Sequence, residues 1–205
     1  MKTWVIIFEA IVIYITFPLL IVTGLLSSQF IMPLLWISFI YAAIILYRSK
    51  PNLSLFHIEL KELLIVLKHF FIIAPIISFF VWYYYPDILF SFVINNRLLW
   101  IIVMFLYPIL SAFTQEVIFR AFFTYRFENI IKNRYILILI NAIIFSYIHC
   151  VFENMIAIIF TFFGSLLFMN TYLRSRSLLL CSIEHSLYGN LIFTLGIGQY
   201  FYHAS

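Results

Sequence analysis

Charged residues are scarce in this chain of 205 residues, where Asp, Glu, Lys and Arg make up 10% of the sequence. A soluble domain contains about 25%, so the composition excludes a water-soluble globular protein and indicates a polytopic membrane protein. Cysteine is also rare: Cys150 and Cys181 form no Cys-x-x-Cys pair, so we expect neither a disulfide framework nor a zinc ribbon. The sequence also lacks a glycine-rich phosphate loop and a serine-centred nucleophile motif. These absences argue against phosphate binding by such a loop and against catalysis by a serine nucleophile.

Hydrophobic stretches fill most of the sequence. One spanning helix needs about 20 apolar residues, so we predict an all-α polytopic bundle of about seven (six to eight) transmembrane helices. It forms a single domain over residues 1–205, with a motif-bearing core at about 98–195. We also predict an amphipathic helix on the membrane surface from Ser54 to about Lys68. The predicted spans are Trp4–Leu26, Phe30–Tyr47, a third that ends at Tyr85, Leu98–Phe127, Tyr135–Phe152, Met155–Leu173 and Leu178–Leu195.

Lysine and arginine are distributed unevenly between the two sides of this layout. Nine of the twelve lie on one side, only Arg97 lies on the other, and Lys68 and Arg120 fall within or at the edge of spans. This bias predicts that the N-terminus and the basic loops are cytoplasmic. We expect the chain to be a multi-pass protein of a bacterial inner membrane. The formal charge of +4 therefore reflects topology, and we expect no nucleic-acid partner. The nine are Lys2, Arg48, Lys50, Lys61, Arg126, Lys132, Arg134, Arg174 and Arg176.

Three of the predicted spans carry a small island of ionisable residues. Glu116 and Arg120 in the fourth span are four apart, so they are neighbours on one helical face. A charge at the bilayer centre costs roughly 2.5–3.5 kcal/mol, and such groups usually pair and face a bundle interior or a wet cavity. His149 lies in the fifth span, and Glu184 and His185 lie in the seventh. The pattern predicts one shared polar pocket; the structural alternative is an ion pair and histidines that only fix helix packing.

The residue types limit the chemistry of such a pocket. A glutamate can take a proton from water and pass it to a leaving amine, and imidazole or amide groups can donate to an oxyanion, each donor being worth about 10²–10³ in rate. Glu, His and His can equally bind Zn²⁺ with an open position for water. The spacing is not the His-Glu-x-x-His of a helical zinc site, so metal is the second choice and we expect no cofactor. Both routes lead to hydrolysis of an amide bond within the membrane.

These residues form three motifs that resemble those of the CPBP family of membrane endopeptidases, which are CAAX-processing and bacteriocin-processing proteases. The family has EExxxR, FxxxH and HxxxN motifs on successive transmembrane helices. The resemblance covers residues 111–190 and implies a glutamate-activated water, assisting histidines and an active-site cavity within a helical bundle. The matching sequences are Gln115-Glu-Val-Ile-Phe-Arg120, Phe145-Ser-Tyr-Ile-His149 and His185-Ser-Leu-Tyr-Gly189, followed by Asn190.

Two positions depart from the family motifs. Gln115 replaces the first glutamate, to which the family's general-base role is attached, so either Glu116 is the base here or the chain is an inactive relative. We favour Glu116, about 100° further round the helix, because both histidine motifs are intact. Gly189 stands where the family has Asn, and Asn190 is the adjacent amide. We therefore predict catalytic Glu116, His149, His185 and Asn190, with structural support from Arg120, Gln115 and Glu184.

The sequence thus predicts a glutamic-type, or else metal-dependent, intramembrane endopeptidase. Its expected partners are the lipid bilayer and a membrane-associated protein or peptide substrate. The alternative is a non-catalytic membrane protein, such as a bacteriocin immunity factor or a scaffold, in which the same cluster serves packing or partner binding. A small transporter or proton path ranks last, because the first, second and sixth spans offer little polar lining.

Overall fold

The computed structural model describes residues 3–49 and 57–202. Within these residues, seven apolar helices are long enough to cross a membrane, which confirms the predicted all-α polytopic bundle. We name them α1 to α7 in chain order. Their bounds are Trp4–Val22, Ser28–Ser49, Leu60–Tyr84, Arg97–Phe127, Arg134–Phe152, Met155–Ser175 and Leu178–Leu195.

Short polar side chains fix where the last three helices begin. Asn133 accepts hydrogen bonds from the backbone N–H groups of the first turn of α5. Asn154 and Ser177 do the same for α6 and α7. Such caps satisfy N–H groups that have no partner inside the helix. Two of these three helices, α5 and α7, carry His149 and His185.

Helix α4 departs from regular α-helical geometry at its centre. Two π-helical segments, Pro108–Phe113 and Val117–Phe122, flank the three residues Thr114–Glu116. Pro108 lacks a backbone donor and clashes with the preceding turn. The first π-helical segment begins at this residue. Single π turns inside helices are frequent at functional sites. Here they flank the turn that carries Gln115 and Glu116.

The surface helix predicted from Ser54 to Lys68 is not a separate element in the described part of the chain. Its first residues fall within 50–56, which lie outside the described residues, and the stretch from Leu60 onward is the first part of α3. The physical reason is an ion pair: Arg174 Nε on α6 donates to the carboxylate of Glu62 on α3. This polar turn therefore packs against the bundle, where its charge is matched.

Ion pairs join the helices at one end of the bundle, where α1, α3, α5 and α7 begin; we call it the basic end and the opposite one the far end. Arg126 Nη2 on α4 donates to Glu9 Oε1 on α1 at 2.7 Å, and Tyr41 on α2 donates to the same oxygen. In the connectors, Arg176 Nη1 donates to Glu128 Oε2 at 2.9 Å. That hydrogen bond lowers the pKa of the Glu128 carboxyl below its usual value.

Candidate active site

A buried ion pair on α4 forms the base of the candidate site. Arg120 Nε donates to Glu116 Oε2 at 3.0 Å, and both side chains are completely inaccessible to solvent. The spacing of four residues places them one turn apart on the same helix. Because a buried ion needs further hydrogen bonds to offset its lost hydration, the neighbours of each group decide what the pair can do.

The guanidinium of Arg120 is held by α5 and α6. Its Nη1 donates to Asn141 Oδ1 and, at 3.1 Å, to Ser165 Oγ. Asn141 is itself anchored, because its Nδ2 donates to the Phe119 carbonyl at 2.6 Å. The guanidinium carbon also lies 4.8 Å from the centre of the Phe145 ring. Asn141 and Ser165 were not among the predicted site residues, and their only sequence signal is that they are polar positions in apolar spans.

The carboxylate of Glu116 is bound from the other side by α7. His185 Nδ1 lies 2.8 Å from Glu116 Oε1, and Cys181 Sγ donates to Glu116 Oε2 at 2.8 Å. Cys181 and His185 are one turn apart, so both reach the same carboxylate. Cys181 was predicted only as a free cysteine, and its contact with Glu116 could not be read from spacing. Together with Arg120, these contacts occupy both oxygens of Glu116.

The two histidines each have one ring nitrogen fixed by the protein. His149 lies at the end of α5, and its Nδ1 is 2.7 Å from the Phe145 carbonyl oxygen. A carbonyl only accepts hydrogen bonds, so Nδ1 of His149 carries the hydrogen. By the same reasoning Nδ1 of His185 donates to the carboxylate of Glu116. In the neutral form of both rings, Nε2 is then the free hydrogen-bond acceptor.

Both histidines line a cavity of about 1,020 Å³. Its wall is mostly Ile, Leu and Phe, with few polar groups, among them Gln115. Gln115 Nε2 donates to Ser111 Oγ at 2.7 Å, and its Oε1 has no hydrogen-bond partner in the described part of the chain. Glu116 is not among the lining residues. The carboxylate therefore lies behind the cavity and meets it through His185, while Gln115 faces the cavity directly.

Two predicted residues lie apart from this arrangement. Asn190 does not line the cavity, and its Nδ2 donates to the Met104 carbonyl at 3.2 Å. Glu184 is completely buried, does not line the cavity, and lies beside Thr171. The reason is the same for both: each is one residue, about 100° of helix rotation, from a position that faces the cavity. Asn190 thus contacts α4, and Glu184 contacts α6.

The residue at the motif asparagine position, Gly189, lies against Tyr107 of α4. A Cβ atom at Gly189 would overlap the Tyr107 ring and its hydroxyl oxygen. Both residues line the cavity, and the Tyr107 ring makes an edge contact with His185 at 6.0 Å between centres. The phenol therefore occupies the space into which an asparagine side chain at 189 would project. Sequence reasoning did not identify Tyr107, because only its contact with a glycine reveals it.

A metal centre was the second choice from the sequence. Among the residues that the structure describes, no group of three His, Cys, Asp or Glu side chains is arranged to hold a metal ion. Glu116 directs its oxygens to Arg120, Cys181 and Nδ1 of His185. Its oxygens and the Nε2 atoms of the two histidines therefore do not converge on a common position for a metal ion. The expectation of no cofactor stays a prediction.

Comparison with known proteins bears on the three motifs. Residues 96–191 match the family model "Type II CAAX prenyl endopeptidase Rce1-like". The resemblance to the CAAX-processing proteases is confirmed. The match covers just under half of the chain, and no curated protein or solved structure matches significantly. It supports an intramembrane protease of the CAAX type.

The matched stretch coincides with the elements that build the site. It begins at the residue before α4 and ends within α7. It therefore contains every hydrogen-bond partner of Glu116 and Arg120 described above. Relative to the CAAX-protease motifs, the two unusual positions, Gln115 and Gly189, both line the cavity. The departures thus affect the surface that a substrate would meet, while the buried ion pair behind it is intact.

Proposed function

We propose that the chain is an intramembrane endopeptidase that hydrolyses a peptide bond of a membrane-associated protein or peptide bound in the cavity. The observation that carries this proposal is the hydrogen bond between Glu116 and His185, at 2.8 Å, beneath a cavity that His149 also lines. A carboxylate that orients an imidazole through one ring nitrogen and leaves the other available as a base is the arrangement used for general-base catalysis in hydrolases. The apolar wall suits a lipid-embedded peptide segment.

The proposed route gives Glu116 an indirect role in activating water. A water in the cavity donates to Nε2 of His185 and loses its proton there as it attacks the scissile carbonyl. The carboxylate of Glu116 stabilises the imidazolium that forms, and the proton then passes to the leaving amine. Glu116 is in this scheme a positioning residue, and His185 is the base. This refines the expectation of a glutamate-activated water, because Glu116 has no surface in the cavity.

Hydrogen-bond donors for the oxyanion are available on α4. The Tyr107 hydroxyl occupies the space of the motif asparagine, and Gln115 has a second amide hydrogen beyond the one given to Ser111. His149 is proposed to hold the attacking water through its free Nε2. One well-placed oxyanion donor is worth about 10²–10³ in rate. These donors replace Asn190 in the proposed mechanism.

A second candidate function, a non-catalytic membrane protein such as an immunity factor or scaffold, is favoured by one observation. Gln115 faces the cavity at the position where the family has its general base, and an amide cannot accept a proton from water. In that case the buried cluster would only fix packing, and the cavity would bind a peptide or a partner helix without cleaving it.

The test uses the purified full-length protein in detergent micelles with a mixture of peptides, including a farnesylated peptide that ends in a CAAX sequence. Cleavage is followed by mass spectrometry. We expect cleavage by the wild type and loss of about 10²-fold or more in His185→Ala, since general acid–base groups contribute about 10²–10⁴. His149→Ala should also lower the rate, because it removes the group that holds the water. His69→Ala is the matched control, because His69 lies on α3 and does not line the cavity.

Each outcome decides between the two functions. Unchanged turnover in His185→Ala would contradict the proposed base. If the wild type cleaves none of the peptides but Gln115→Glu does, the chain is a non-catalytic relative with an otherwise competent pocket. Metal analysis of the active protein then separates the metal-free route from the metal-dependent one.

A further inference from the structure

We infer that the cavity opens on the extracytoplasmic side of the membrane, and that its substrate is a peptide segment presented at the outer leaflet. The substrate part of this inference rests on the proposed peptidase function; the sidedness does not. Two independent features carry it: the position of the cavity along the bundle, and the distribution of cations between the two ends.

The cavity lies in the half of the bundle toward the far end. Its lining includes Ser28 and Gln29 at the start of α2, Phe152 at the last position of α5, and Tyr202 beyond the end of α7. Its deepest residues come from the middle of their helices; these are Gln115, Phe168 and His185. No lining residue comes from the basic-end terminus of a described helix. The cavity therefore extends from the far end to about the middle of the bundle.

The position of His149 agrees with a cavity in the half of the bundle toward the far end. His149 is three residues from the end of α5, in a 3₁₀ segment that finishes at Phe152. At about 2 Å of rise per residue, its backbone lies roughly 6 Å from the far end of the helix. His149 therefore lies closer to the far end of α5 than to its basic end.

The cations place the far end outside the cell. The sequence layout assigns nine lysines and arginines to one side of the membrane and only Arg97 to the other. The seven of these nine that fall within the described residues lie at the basic end. The positive-inside rule counts lysine and arginine in short loops and near helix ends, and acidic residues contribute little to it. The ion pairs of Arg126, Arg174 and Arg176 at the basic end therefore do not weaken the bias. A nine-to-one distribution predicts that the basic end is cytoplasmic and the cavity mouth is not.

Exposed residues in the cavity wall indicate how a substrate enters. Leu99 and Ile102 on α4, and Ile159 and Phe163 on α6, line the cavity and are 42–60% exposed. The accessible wall of the cavity on these two helices is therefore apolar. This favours a hydrophobic, membrane-anchored peptide over a soluble one.

The experiment measures sidedness in bacterial cells that express the full chain. In a Cys150→Ser background, single cysteines are introduced as Gln29→Cys at the cavity mouth and Asn129→Cys at the basic end; both positions are exposed. Cys181 is retained because it is completely buried. We expect a membrane-impermeant maleimide to label the Gln29 variant in intact cells and the Asn129 variant only after permeabilisation.

A second readout covers the case in which the maleimide reaches neither cysteine. Alkaline phosphatase fused after Ser205 is active only outside the cytoplasm, and we expect it to be active, because α7 ends at the far end. The reverse labelling pattern, labelling of both cysteines in intact cells, or an inactive phosphatase would overturn the inference. None of these readouts requires peptide cleavage. A failure of sidedness is therefore distinct from a failure of the peptidase proposal, which is tested in micelles where sidedness has no effect.

Discussion

The carboxylate of Glu116 and the imidazole of His185 meet at 2.8 Å although 69 positions separate them in the sequence. This contact joins α4 to α7 and gives the two groups different tasks. The carboxylate is enclosed by Arg120, Cys181 and His185, whereas the imidazole borders the cavity. In the proposed mechanism, the base at the cavity surface is therefore oriented by an acidic group that does not itself line the cavity.

Glu116→Gln should be destabilising as well as inactivating. The amide leaves Arg120 as a buried cation without a counter-charge, and breaking a buried pair in this way costs about 3–5 kcal/mol. The double variant Glu116→Gln/Arg120→Met removes both charges and should regain much of that stability without regaining cleavage. Thermal unfolding in detergent measures the first effect, and the peptide assay measures the second.

The matched control is Glu128→Gln, which breaks an ion pair whose two side chains are each 42% exposed. Exposed pairs contribute about 0–1 kcal/mol, so this variant should unfold close to the wild-type temperature. If Glu116→Gln were no less stable than Glu128→Gln, the buried pair would not have the role assigned to it.

Cys181 should matter as a hydrogen-bond donor and not as a nucleophile. Its Sγ donates to Glu116 Oε2 at 2.8 Å and lies 3.1 Å from the Phe168 carbonyl oxygen. Cys181→Ser keeps a donor and should keep cleavage, whereas Cys181→Ala should lose about 1.5–3 kcal/mol of stability, the usual worth of a hydrogen bond to a charged group. Cys150→Ala is the control, since the Cys150 thiol makes only a long contact, 3.9 Å, with the Ser146 carbonyl oxygen within the described part of the chain. Loss of cleavage in Cys181→Ser with normal folding would instead assign chemistry to the thiol.

The spans and the ion pair could be predicted because they depend on local information. Apolar stretches of sufficient length give the helices, and the spacing of Glu116 and Arg120 gives their contact. The residues that complete the site could not be predicted in this way. Asn141, Ser165 and Cys181 each come from a different helix, and their contacts depend on how those helices pack.

Which of two adjacent helix residues lines the cavity was the least predictable feature of the site. Gln115 and Glu116 differ by one step on a helix, and the sequence favoured a pocket built around Glu116. Two π-helical segments flank this pair; Gln115 lines the cavity, whereas the carboxylate of Glu116 is bound by Cys181 and His185 of α7. Helical periodicity of 3.6 residues does not describe such a helix. On the regular helix α7, Gly189 is the residue in the cavity wall, and Asn190 is one step away from it.

Gln115→Glu should raise peptide cleavage if the cavity is catalytic. The new carboxylate would face the same cavity as His149 and His185 and could accept a proton from water directly. Gln115→Ala serves as the control, because it removes the amide without supplying a base. The rate of cleavage in micelles, at equal amounts of folded protein, is the measurement. A Gln115→Glu variant that cleaved no faster than the alanine variant would argue that the water lies elsewhere.

Tyr107 and Gly189 provide a prediction that separates packing from chemistry. Gly189→Ala places a methyl group against the Tyr107 ring, and overpacking of this kind costs about 1–3 kcal/mol. Tyr107→Phe keeps the ring and removes only the hydroxyl that we assign to the oxyanion. We expect it to fold normally and to lower kcat by about 10²-fold, with little change in KM. Tyr147→Phe is the matched control, because Tyr147 does not line the cavity. Equal kcat values for the two phenylalanine variants would leave Tyr107 with a packing role alone.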